Sequence, residues 1–290
     1  MNRTRNLCLL SLCLTLLTFA SSLSAQVVVR TATGATAADI TATRDAFRAD
    51  LGGGSTAGAN GLFGGLRREI NWDGVPAMFA APNTLPPTFF NVNSPRGVLF
   101  STPGTGFQVS GASTDGGPGQ PAAPNFGNID PSYTNTFDTF SPERLFTSLG
   151  SNITDINFFV PGTNTQGLTR GFGVVFTDVD LANATAIQLF DAAHSLLGTF
   201  YVPNLTGNQT FSFIGISYPT PVISSVRILA GNTPLGPGAV DENGSIVDVV
   251  AMDDFIYGEP TAIPEPTTVA MLILGGGLLF RAVRKRRVAA

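Results

Sequence analysis

The chain has 290 residues, of which 16 are Lys or Arg, 20 are Asp or Glu, one is His and two are Cys, giving a formal net charge of −4. Only 12% of residues are charged, against about 25% in ordinary globular proteins, so Gly, Asn, Thr, Ser and Pro must supply the polar surface. Between residues 26 and 262 stand nine arginines, no lysine and 19 acids, a formal −10. That balance excludes nucleic acid and anionic surfaces as partners, because both require a basic face. It accommodates divalent cations.

Residues 1–25 have the layout of a secretory signal peptide. Arg3 and Arg5 precede an apolar run over 7–20, and small residues lead to Ser24 and Ala25. The run is too short for a comfortable membrane span. Cleavage is expected after Ala25, with Ala20 and Ser24 as alternatives, and the export machinery and signal peptidase are the implied partners. Cys8 and Cys13 each follow a Leu, which is no lipobox. Both lie in the removed segment, so the mature chain has neither disulfides nor thiol chemistry.

Residues 26–60 are expected to form an N-terminal helix and a Gly-rich linker. Thr36 can cap a helix over 36–51, with Asp39 at the capping-box position. Ile40, Phe47 and Leu51 share one face, and Gly52-Gly53-Gly54 stops it. From residue 61 the period changes to two. Leu66, Ile70 and Trp72 are expected on one face of a strand that ends at Asp73-Gly74. Further strands are expected over 97–102, 107–110, 153–160, 171–179, 185–191, 196–202, 210–218, 223–229, 247–252 and 255–257. Turn residues separate them, as at Pro161-Gly162, Pro203-Asn204 and Asn243-Gly244. Short strands without helical period between them predict a mainly β chain: a single antiparallel β-sandwich, jelly-roll-like, over 61–260. No fixed internal repeat points to a propeller or solenoid.

Several stretches of that body are familiar: Arg68-Glu69-Ile70-Asn71-Trp72-Asp73-Gly74-Val75-Pro76, Asn91-Val92-Asn93-Ser94-Pro95-Arg96-Gly97, Gly171-Phe172-Gly173-Val174-Val175-Phe176-Thr177-Asp178-Val179-Asp180 and Asp253-Asp254-Phe255-Ile256-Tyr257-Gly258. They resemble an extracellular domain often carried by PEP-CTERM proteins. Residues 261–290 carry the second resemblance. Pro264-Glu265-Pro266 is followed by an apolar stretch over 267–283 and a basic cluster, Arg281, Arg284, Lys285, Arg286 and Arg287. This order resembles the PEP-CTERM sorting signal of exported bacterial proteins. The stretch would make a helix of about 25 Å against a hydrocarbon core of roughly 30 Å, and Gly275-Gly276-Gly277 interrupts it. A C-terminal transmembrane helix here is a weak anchor, with the basic cluster retained on the cytoplasmic side. The resemblance implies an exosortase as partner, cleavage near the Pro-Glu-Pro element, transient attachment to the inner membrane and then a place at the cell surface or outside it.

Catalytic chemistry has little to build on. The one histidine, His194, is expected in a hairpin turn, and there is no nucleophile elbow, Walker loop or H-E-x-x-H. A carboxylate-pair glycoside hydrolase would have to use Glu69, Glu143, Glu242 or Glu259 with an Asp partner. Glu69 is best placed, beside Trp72, although Arg67 and Arg68 predict an ion pair. Asp178, Asp180, Asn183, Asp253 and Asp254 offer hard oxygen ligands that suit a structural calcium, and Asp and Asn also simply start turns. No cofactor is required. Trp72 and Glu69 are the candidate ligand-binding residues, with Tyr133, Tyr201 and Tyr218 as further aromatics, although alternation favours a buried Trp72. The expected function is a non-catalytic surface or extracellular-matrix protein. The alternatives are a module binding carbohydrate or exopolysaccharide, with or without calcium, and then a glycoside hydrolase.

Overall fold

The computed structural model describes residues 26–53, 60–61, 65–115, 122–239 and 246–263. The signal segment, the Pro-Glu-Pro element, the 267–283 stretch, the basic cluster and Glu242 lie outside these. In chain order the fold opens with β1 (Val28–Gly34), α1 (Ala37–Asp50) and β2 (Arg67–Ile70), followed by a helical turn, α2 (Phe89–Val92). Next come β3 (Val98–Ser101), β4 (Gly106–Val109), a second turn α3 (Tyr133–Thr136), β5 (Phe146–Leu149) and β6 (Ile153–Phe158). The second half holds β7 (Gly167–Leu168), β8 (Gly171–Thr177), β9 (Ala186–Phe190), β10 (Leu196–Tyr201), β11 (Phe211–Ser217), β12 (Ser225–Leu229), β13 (Ala251–Gly258) and β14 (Thr261–Ala262).

The ladders are antiparallel and build two main sheets. One has seven strands in the order β1-β11-β8-β13-β5-β4, with β2 also paired to β13. The other has five, in the order β10-β9-β12-β6-β3. Their inner faces meet in one cluster, where Phe172, Val174, Ile214 and Phe255 of the larger sheet contact Phe100, Ile156, Leu189 and Ile228 of the smaller. At its centre Trp72 stacks on Phe146 at 4.1 Å and meets Phe255 edge-on at 5.0 Å.

Burial along the strands shows what covers each sheet. In β8 and β11 all seven residues are buried, so neither strand alternates. Both of their faces are covered, one by the opposite sheet and the other by α1. In β6 and β12 every second residue is buried, the signature of a sheet with one open face. Helix α1 docks through Ile40, Phe47 and Leu51 onto Val175, Phe211, Phe213 and Ile256. Gly173 and Gly215 are cross-strand partners, and a Cβ on either would stand 2.7 or 2.6 Å from the Phe47 ring. Two adjacent glycines thus form the seat for that ring. The helix starts as read from the sequence: the Thr36 amide and hydroxyl both donate to Asp39 Oδ2 at 2.8 Å.

Several expectations change. Residues 28–34, read as lying outside the sandwich, pair with β11 over their whole length as its edge strand. Arg30 of β1 then holds Asp50 at the end of α1 at 2.8 and 3.0 Å, so no boundary at residue 60 separates the helix from the sheet. Residues 251–252 and 255–257 belong to one strand, β13, with a register shift between Met252 and Phe255, whereas 247–250 form no strand. Ile70 and Trp72 are buried as expected, but Leu66 is 59% exposed. Arg68, which shares the alternation of Ile70, is fully buried and donates to Glu259 at 2.5 and 2.7 Å. Its guanidinium also reaches the carbonyls of Gly61 and Pro95. Among the described residues no helix is long and apolar enough to cross a membrane.

Two stability outcomes follow from these contacts. Gly215→Ala should cost about 1–3 kcal/mol, the usual range for overpacking, read as a lower urea midpoint with an unchanged slope. Glu259→Gln leaves the Arg68 charge buried without its carboxylate and should cost about 3–5 kcal/mol in the same measurement.

Candidate functional site on the five-stranded sheet

The sequence-derived site residues fall into separate places. Trp72 is 1% exposed, and its indole N–H donates to the Asp253 carbonyl at 2.8 Å. The cavity beside it measures about 20 Å³, room for roughly one water. Trp72 therefore offers no ring face to a ligand. Glu69 is gripped by Arg48 at 2.6 and 2.7 Å and by Arg67. These two guanidinium partners make it a structural residue that ties α1 to β2. The sequence pointed to Arg67 and Arg68 as its partners; Arg68 instead pairs with Glu259.

Asp253 and Asp254 sit in the β13 bulge, 0% and 3% exposed. Asp253 accepts from the Phe140 and Ser141 amides at 2.7 and 3.2 Å. The Ser141 hydroxyl lies 3.0 Å from Asp253 Oδ1 and 2.8 Å from Asp254 Oδ1. A hydroxyl has one proton to donate, so satisfying both contacts calls for a proton on one carboxyl. Burial, followed by the neighbouring Asp254 charge, pushes Asp253 well above the ordinary carboxylate range. Burial likewise raises Asp254, which has Arg44 at 3.7 Å. Nearby Asp73 is raised to about 6, first by burial, while accepting from the Glu143 and Arg144 amides at 2.7 and 3.2 Å. Sealed in this way, the bulge pair braces the 138–144 segment against β13.

Asp178 closes β8 in a left-handed conformation, φ 69°, and is buried. Asp180 accepts from the Gly207 amide at 2.8 Å, and its own amide donates to Asp248 at 3.1 Å. Asn183 is an exposed turn residue at φ 64°. Among the described residues, no three His, Cys, Asp or Glu side chains are disposed to hold a metal ion.

The open face of the five-stranded sheet does gather functional groups. Strand register sets three rows across it. The middle row runs Ser101, Asp155, Arg227, Gln188, Thr199 and is wholly polar. On one side lies the row Leu99, Asn157, Ser225, Phe190, Leu196, and on the other Ile153, Leu229, Ala186, Tyr201. Arg227 and Asp155 form a two-pronged ion pair at 2.7 and 3.0 Å. That hydrogen bond is the main cause holding the Arg227 guanidinium more firmly protonated than usual. Tyr201 and Leu196 are each 55% exposed. The β9–β10 turn is locked by Asp191, whose Oδ1 accepts from the Ala193 and Ser195 amides at 2.9 and 2.8 Å. This places His194, at φ 60°, on the rim of a depression of about 290 Å³ whose lining includes Asp155, Asn157, Phe190, Ser225 and Arg227. Sequence reading singled out only Tyr201 and His194 here. Alternation marks Asp155, Asn157, Ser225 and Arg227 as outward-facing, but which of them stand side by side depends on strand register.

Comparison with known proteins bears on the C-terminal end. Residues 262–287 match the PEP-CTERM protein-sorting motif. The chain carries a PEP-CTERM sorting signal. This motif implies export to the cell surface or extracellular space, with an exosortase as processing partner. No curated protein matches the PEP-CTERM chain. Among solved structures, a glycoside hydrolase family 43 arabinoxylan arabinofuranohydrolase from Bacillus subtilis, in complex with cellotetraose, is similar at 17% identity and a TM-score of 0.26. The match covers 55% of this chain, which spans a quarter of that protein's length.

The raised acids give the body of the chain a particular pH response. A carboxyl whose folded pKa lies above its unfolded value stabilises the fold fully below the unfolded pKa. That stability is lost as pH rises through the folded pKa. For Asp73 the window runs from 3.8 to about 6, and Asp253 and Asp254 act in the same sense. Asp39 and Asp130 are shifted down, first by side-chain hydrogen bonds from Thr36 and Ser132, so their contribution is lost only in more acid solution. The thermal midpoint should therefore fall between pH 4.5 and 7.5. Asp253→Asn keeps both amide contacts and should raise the midpoint at pH 7.5 while flattening its pH dependence.

Proposed function

We propose that this protein is a non-catalytic component of the bacterial cell surface or extracellular matrix, made as a precursor with a disposable C-terminal handle. The signal peptide directs export. The 267–283 segment then acts as a transmembrane helix and holds the chain briefly in the inner membrane, with Arg281, Arg284, Lys285, Arg286 and Arg287 on the cytoplasmic side. An exosortase cuts near Pro264-Glu265-Pro266 and the jelly-roll-like body is released or passed to the surface. The body needs no cofactor for this role.

One observation carries the reading: residues 262–287 match the sorting motif, and the last described strand lies at its start. The last ladder pairs Thr261 with Leu168 and Ala262 with Gly167, and the motif starts at residue 262. Among the described residues, the three hydrophobic clusters take none beyond Tyr257. Cleavage near Pro264-Glu265-Pro266 would fall just after that last described strand. The Arg68–Glu259 pair lies just inside that limit and ties the end of the body down.

Intact-mass measurement on protein recovered from the medium or cell surface tests this. The expected species begins near residue 26, ends near residue 263 and lacks the basic cluster. In cells without an exosortase the C-terminus should stay intact and the protein should fractionate with membranes. A surface-exposed product that still carries residues 281–287 would sink the proposal.

A further inference from the structure

The open face of the five-stranded sheet is a built surface that export and processing leave unused. We infer that it binds a neutral polysaccharide chain, with Tyr201 and Phe190 as apolar platforms and the Asp155–Arg227 pair, Asn157 and Gln188 as hydroxyl partners.

The argument begins with layout. A pyranose presents C–H-lined faces and a rim of hydroxyls, so it needs apolar and hydrogen-bonding strips side by side. The register supplies that: a wholly polar row lies between two rows that contain Phe190 and Leu196 on one side and Tyr201, Leu229 and Ile153 on the other. Side chains on one face of a strand repeat every ~6.6 Å, so a ring seated on one row lies beside the next. Tyr201 has only Ala186 opposite it on β9, which leaves its ring uncovered, and it is 55% exposed.

Charge selects the class of polymer. Arg227 is already neutralised by Asp155, and the body around it is formally −10. A polyanionic chain would meet net repulsion, whereas neutral hydroxyls can both donate to Asp155 and accept from Arg227. The depression of about 290 Å³ lies near the lower limit of small-molecule sites, roughly 300–1,000 Å³, a size for one or two sugar units of a longer chain. A protein partner fits less well. Such interfaces bury on the order of 1,000 Å² or more around an apolar centre depleted of charge, and here an ion pair occupies the centre.

The full exported protein serves for the test, run by affinity electrophoresis through gels cast with the source cell's own extracellular polysaccharide. Anion exchange separates that polymer into neutral and acidic fractions. The neutral fraction should retard the protein. Tyr201→Ala and, separately, Gln188→Ala should each weaken that retardation at least tenfold with an unchanged thermal midpoint. Met78→Ala, an exposed apolar residue outside this sheet, should leave retardation unaltered. No retardation by the neutral fraction, retardation by the acidic fraction alone, or retardation equal in wild type and Tyr201→Ala would each overturn the inference. So would self-association in sedimentation that disappears in Tyr201→Ala, since the face would then belong to a second copy. Retardation does not depend on whether the C-terminal tail has been removed, so failure here and failure of the processing scheme are separable.

Discussion

The Phe47 ring sits on the only kind of surface that could admit it, a pair of facing glycines in the centre of a sheet. Gly173 and Gly215 contribute no Cβ, and a phenyl ring fills the gap and brings α1 down onto β8 and β11. From that contact follows the asymmetry of the molecule. The outer face of the seven-stranded sheet becomes a second interior, with its own cluster of Val175, Phe213 and Ile256. Among the described residues, only the five-stranded sheet keeps an uncovered face of alternating outward side chains. The helix thereby decides which side of the sandwich can meet a ligand, although no ligand would touch it.

Burying so much sheet also explains how the few cations are used. Arg30, Arg44, Arg48, Arg67, Arg68, Arg144 and Arg227 all hold carboxylates, so seven of the nine arginines in the body are committed to internal partners. The charge left over is carboxylate, and a part of that is placed where it resists ionisation. Asp253 and Asp254 are the extreme case. The bulge that puts them side by side also frees the Asp253 carbonyl for the Trp72 indole. A single irregularity in β13 therefore positions both the central aromatic stack and the proton-sharing acid pair. The acids brace a segment against a strand, and solvent-facing chemistry is left to the other sheet.

Local pattern told a good deal. Strands over 153–160, 196–202 and 210–218 were legible because apolar and β-branched residues run between turn residues, and α1 was legible from its cap and the spacing of Ile40, Phe47 and Leu51. Residues 28–34 and 146–149 were not. β1 is an edge strand whose sequence, Val-Val-Arg-Thr-Ala-Thr-Gly, is short and polar, and its pairing with β11 spans most of the chain. β5 reads Phe-Thr-Ser-Leu, too brief to show a period. The burial of Arg68 was hidden for a different reason. A charged residue on an apolar face looks like an interruption until its partner, Glu259, arrives from 191 positions away. The open face had the same obstacle. Each outward residue could be guessed from alternation, but a row such as Asp155, Arg227 and Gln188 exists only once three strands have chosen their register.

The C-terminal end joins these threads. Five of the chain's 16 basic residues lie in 281–287 and two more in residues 1–25, so the body between them is lysine-free and cysteine-free. That body is a sandwich whose arginines are mostly bound within it and whose acids outnumber them, and among the described residues its five-stranded sheet presents a polar row between rows that carry apolar side chains. Net negative charge keeps such a body soluble and apart from anionic polymers. The ion pair on the open face adds no net charge of its own, so that general repulsion of polyanions holds there too. The basic cluster lies within the residues that match the sorting motif, 262–287, and is thus set apart in sequence from the acidic body.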